Sequence, residues 1–122
     1  MDLYQEQIID LAKNPLNKRA IEDATKTHSG VNMTCGDHAR IYLKLDGEGD
    51  EARVVDASWE GEGCAISTAV ASLLTEELKG KTVKEAKALT QKDMFEFLGI
   101  DELGPARVKC ATLALETMQE AL

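Results

Sequence analysis

The hydrophobic rhythm of the chain changes along its length, and each change marks an element. Residues 3–13 put Leu3, Ile8, Leu11 and Ala12 on one side of a short helix. Asn14-Pro15 ends it, because a residue before proline avoids the helical region. Residues 15–34 are polar, lack periodicity and run out at Ser29-Gly30, which predicts a long, mobile segment. From Ala39 the period is two: Ile41, Leu43 and Leu45 alternate with Arg40, Tyr42 and Lys44. Asp46-Gly47-Glu48-Gly49-Asp50 is a turn, and Val55, Ala57 and Trp59 alternate on a return strand. The pattern predicts an antiparallel hairpin with one buried face.

Beyond Cys64 the period is helical. Ile66, Val70, Leu73, Leu74 and Leu78 form a stripe that Gly80 stops. Thr82 and Glu85 make a capping box for a short helix through Leu89. Met94, Phe95 and Leu98 mark another, closed by Gly99. A last helix opens near Gly104-Pro105, proline being favoured in a first turn, and continues through Val108, Ala111, Leu115, Met118 and Leu122. A helix, a hairpin and then a run of helices predict an α+β fold, with helices packed on a small antiparallel sheet. At 122 residues the chain predicts a single domain over 1–122.

Composition narrows the function. Hydrophobic residues make up 43% and charged residues 30%, ordinary for a soluble globular protein. No apolar run approaches the length of a membrane span. The net charge of −8 argues against nucleic acid, since phosphate binding needs a basic face. Aromatic residues, at 4%, are too few for a base-stacking platform. Positive charge is local instead: Arg107 and Lys109 flank the third cysteine.

The chemistry rests on three cysteines. Cys35 lies in Thr34-Cys35-Gly36-Asp37, Cys64 in Glu60-Gly61-Glu62-Gly63-Cys64, and Cys110 in Arg107-Val108-Lys109-Cys110. Separations of 29 and 46 residues put them on different elements, so only folding can unite them. A lone cysteine is ordinarily a small buried hydrophobe. Here Gly36 and Gly63 flank two of the three, giving backbone room for a bound group. The odd count and the lack of a leader segment disfavour disulfides, which predicts reduced thiols in the cytoplasm. Cys64 just before a helix, and Cys110 in the first turns of another, would meet the positive end of a helix dipole. Cys110 also lies about 200° around its helix from Val108, which points it off the core stripe. Cys35 and Asp37, two residues apart in extended backbone, emerge on one face, and His38 emerges on the other. Three soft thiolates and the carboxylate of Asp37 form a four-ligand set for zinc or an iron–sulfur cluster. His28, in the polar segment, is read as solvated.

On these residues the chain resembles the U-type iron–sulfur cluster scaffolds: IscU, SufU and the N-terminal domain of NifU. The resemblance runs from about Tyr4 to the end. It includes Asn14-Pro15-Leu16-Asn17, Cys35-Gly36-Asp37, Gly63-Cys64-Ala65-Ile66-Ser67, and Arg107-Val108-Lys109-Cys110-Ala111-Thr112-Leu113-Ala114. It implies an IscU-like fold and cluster-ligand roles for Cys35, Asp37, Cys64 and Cys110. Gly36, His38, Gly63 and Lys109 are read as supporting positions around these ligands, and Cys64 and Cys110 as candidate sulfur acceptors. The expected partners are a cysteine desulfurase, an iron or electron donor, apo-acceptor proteins and a second copy of the chain.

Two departures keep alternatives open. IscU proteins have histidine where this chain has Lys109, and the proline-rich segment offered to a dedicated chaperone is reduced to Gly104-Pro105-Ala106-Arg107-Val108. Both are SufU-like, as is Gly61-Glu62-Gly63-Cys64, yet the insertion that SufU carries before the third cysteine is missing. One reading is a non-enzymatic scaffold that builds a [2Fe–2S] cluster and passes it on. Another is a zinc-dependent sulfurtransferase that takes persulfide sulfur from a desulfurase. A third is a structural zinc domain.

Overall fold

A computed structural model describes residues 3–32, 36–99 and 105–122. Helix α1 (Leu3–Lys13) is followed by strands β1 (Lys26–Asn32), β2 (Asp37–Asp46) and β3 (Arg53–Glu62). Helices α2 (Ala65–Leu78), α3 (Val83–Lys87), α4 (Gln91–Leu98) and α5 (Pro105–Ala121) complete the order. The three strands form one antiparallel sheet, β1-β2-β3. Helix α2 lies on β3 and α5 lies across β1 and β2, with α1 and α4 packed against α2. The α+β architecture expected from the hydrophobic pattern is the one observed. No helix among the described residues is long and apolar enough to cross a membrane.

Ile41, Leu43, Val54, Ala57 and Trp59 of the sheet meet Val70, Leu74 and Leu78 of α2, Met94 and Leu98 of α4, and Ala111 and Met118 of α5. The expected capping box of Thr82 and Glu85 is present, and Thr90 with Asp93 makes a second one at the start of α4. Gly99 closes α4 in the left-handed conformation, with φ 73°.

Three expectations are corrected. Residues 15–34, read as mobile, include β1 and a docked segment before it. The indole Nε1 of Trp59 donates to Leu16 O at 2.9 Å, and the Trp59 amide donates to Asn17 O at 2.9 Å. Arg19 grips Asp56 through two bonds of 2.8 and 3.0 Å. Strand β1 gave no apolar alternation because it is an edge strand whose more buried positions are His28, Gly30 and Asn32. Gly30 is needed there, since a Cβ would lie 2.1 Å from Thr117 Oγ1 of α5.

Val55, placed in the same alternation as Ala57 and Trp59, is 51% exposed, whereas Val54 is buried. The cause is a β-bulge: Lys44 pairs with Asp56 and Leu45 with Val54, leaving Val55 unopposed and flipping the phase of the strand. The third correction is Cys110. Expected off the core stripe, it is 4% exposed and part of the core. Helix α5 packs against β1, β2, α2 and α4, so residues 110–115 are all buried and the helix has no single core stripe.

Candidate metal centre

Asp37 is the first residue of β2, paired in register with the last residue of β1, Asn32. Gly36 turns the chain into that strand with φ +73°, where a side chain would be strained, and its amide donates to Asn32 O at 2.8 Å. The pleat then sends the Asp37 side chain inward, buried, while His38 is exposed on the opposite face. Cys35 lies outside the described residues.

Cys64 is the N-cap of α2. Its backbone is extended, and its Sγ accepts the Ser67 amide at 3.5 Å, as a cap side chain does for an otherwise unpaired donor. The sulfur is half-buried. Cys110, the sixth residue of α5, lies beyond the first turn, where a dipole effect would fade. One carboxylate oxygen of Asp37 and the sulfurs of Cys64 and Cys110 all lie within 4.8 Å of one another. These donors come from a strand, a helix cap and a helix body. Neither Cys64 nor Cys110 forms a disulfide among the described residues, and the donor set of two soft sulfurs and one hard oxygen fits a thiophilic metal with an exchangeable position.

Ser67 also belongs to this centre, although its motif was read only as part of the resemblance. Its hydroxyl donates to Asp37 Oδ2 at 2.6 Å and lies 3.5 Å from Cys64 Sγ and 3.3 Å from Cys110 O. Its position three residues after the helix-opening cysteine is the signal, because i and i+3 share a helix face. Gly63 closes in behind: a Cβ there would lie 2.9 Å from Ser67 Cβ and 3.2 Å from Asp37 Cγ. Lys109 is exposed on α5. His28 is on β1, at the surface as expected, with its Nε2 2.8 Å from Glu120 Oε2.

The family model described as the NifU-like N terminal domain matches residues 3–122. The chain belongs to that family. Among its relatives is the zinc-dependent sulfurtransferase SufU of Bacillus subtilis (strain 168), 38% identical, with 98% of this chain and 89% of the relative covered. The iron-sulfur cluster assembly scaffold protein IscU of Aquifex aeolicus (strain VF5) is also 38% identical, covering 98% of this chain and 73% of the relative. The crystal structure of FiSufU from Fervidobacterium islandicum AW-1 superposes with a TM-score of 0.71 at 32% identity, covering 95% of this chain and 93% of that one. The U-type scaffold family expected from the cysteine motifs is therefore the family found.

Proposed function

We propose that this protein assembles a [2Fe–2S] cluster from iron and desulfurase-derived sulfur and passes it to apo-proteins. The observation that carries the reading is the convergence of Asp37, Cys64 and Cys110 within 4.8 Å from three separate elements. Cys35, two residues before Asp37, would supply the fourth ligand. Two features support transfer over a closed structural site. A carboxylate is a hard, weak partner for a thiophilic metal, so the Asp37 corner is the easiest for an incoming thiolate to displace. And Cys64 is half-buried at a helix edge rather than sealed in the core.

The same asymmetry orders the sulfur chemistry. The Cys64 thiolate, more open than Cys110, attacks the terminal sulfur of a desulfurase persulfide, and the desulfurase thiolate leaves. Cys110, buried in α5, acts as a holding ligand. Partners in this reading are a cysteine desulfurase, an iron or electron donor and apo-acceptors, in the cytoplasm, where neighbouring thiols stay reduced. A second copy of the chain could bridge a cluster.

A second reading, a zinc-dependent sulfurtransferase, is favoured by the 38% identity to SufU of Bacillus subtilis. Anaerobic purification and reconstitution with ferrous iron and sulfide separate the two. Thiolate-to-iron absorption with equal iron and sulfide, transferable to apo-ferredoxin, is the expected result. Stoichiometric zinc with no colour, retained against iron, would overturn the scaffold reading.

A further inference from the structure

We infer that Ser67 is a positioning residue that makes Asp37 a one-oxygen ligand. The inference rests on the metal-centre reading of Asp37, Cys64 and Cys110 and extends it to a residue with no donor role of its own. A serine hydroxyl has a single proton to give. Asp37 Oδ2 at 2.6 Å is the nearest acceptor and a carboxylate oxygen, while Cys110 O is 3.3 Å away and neutral. The proton therefore goes to Asp37, since a hydrogen bond to an ionised oxygen is the shorter and stronger one.

Ser67 is in the first turn of α2, anchored by its own amide on Cys64 Sγ. Its hydroxyl is thus fixed relative to one of the sulfurs, and the bond passes that fixity to a carboxylate on another element. A Cβ at Gly63 would press on Ser67 Cβ at 2.9 Å and crowd the same carboxyl carbon at 3.2 Å, so the bare glycine leaves room for the Ser67–Asp37 pair. With Oδ2 held, Oδ1 is the oxygen left to face a metal. A carboxylate that offers one oxygen completes a four-coordinate site, whereas one that offers both would raise the coordination number and hold the metal more tightly at that corner. Ser67 thereby keeps the displaceable corner of the site displaceable.

Cobalt(II) reads this directly, because four-coordinate cobalt absorbs far more strongly in the visible than five- or six-coordinate cobalt. Wild type loaded with one cobalt should show the intense four-coordinate spectrum, and Ser67→Ala should lose most of that intensity at equal cobalt content. Zinc affinity, measured by chelator competition, should rise several-fold in Ser67→Ala, because the freed Oδ2 adds its hold on the metal at that corner. It should not change further when Ser67→Ala is added to Asp37→Ala, because Ser67 acts through Asp37. Alanine suits a helix at least as well as serine and leaves the Ser67 amide in place, so circular dichroism should be unaltered. Identical cobalt spectra in wild type and Ser67→Ala overturn the inference and leave the scaffold reading standing. A wild type that takes up no cobalt overturns both. A fall in zinc affinity in Ser67→Ala, or a change of equal size with and without Asp37, would show that Ser67 does not act by restraining the carboxylate, which also overturns the inference.

Discussion

Asp37 is the oxygen in an otherwise sulfur-based candidate site, and Lys109 stands where IscU relatives have histidine. Lys109 is exposed, and its ammonium has no lone pair to offer a metal. Lys109→Met should leave metal content unchanged and alter the rate of sulfur delivery from a desulfurase, read as sulfide incorporated over time; loss of metal would make Lys109 a ligand. Asp37→Ala should still form the cluster but pass it to apo-ferredoxin several-fold more slowly, because the weak corner where an acceptor thiolate enters is gone. Equal transfer rates would take Asp37 out of the mechanism. At this scale the sequence was a partial guide: three of the side chains it singled out, Asp37, Cys64 and Cys110, do come together, while Cys35 lies outside the described residues. The spacing put Ser67 on the helix face of Cys64 but could not pair it with Asp37, because a hydroxyl gains meaning only from its partner, and Asp37 is 30 positions away. The burial of Cys110 was equally hidden, since a helix wheel shows one helix and not the neighbours that enclose it.

Elements were legible where an apolar period marked them and illegible where packing was polar or irregular. The helices after Cys64 announced themselves through stripes and caps. Strand β1 did not, since His28, Gly30 and Asn32 are its more buried positions, and the bulge at Val55 reversed a phase that two-residue alternation assumes. The glycine of β1 provides a test. Gly30→Val should wedge β1 away from α5, because even a Cβ would overlap Thr117 Oγ1. Overpacking of this kind should lower the melting temperature by at least about 5 °C and expose the β1 amides to hydrogen exchange before those of β2. A variant that melts with the wild type, with β1 still protected, would mean that α5 does not rest on this strand.

For the molecule as a whole, the candidate metal centre is a junction. The side chains that converge there sit at positions 37, 64 and 110, so an unfolded chain presents them scattered and would bind metal poorly. Zinc, as a probe of the site, should therefore stabilise the native state by mass action, about 2.7 kcal/mol at a free concentration a hundredfold above Kd. Thermal unfolding with and without zinc measures this, and Cys64→Ala should abolish the shift. A shift that persists in Cys64→Ala would place zinc elsewhere.

The docking of residues 16–18 onto β3 has a practical side. Trp59 is the one tryptophan of the chain, 3% exposed, with its indole bonded to Leu16 O and the Lys18 ammonium 5.4 Å above its ring. Its emission wavelength therefore gauges whether the segment after α1 is seated, whereas visible absorption from sulfur-bound metal gauges the donor cluster. Unlabelled protein thus carries two colours of signal for two separate events. A stopped-flow trace at both wavelengths would show which comes first when a desulfurase or an acceptor arrives.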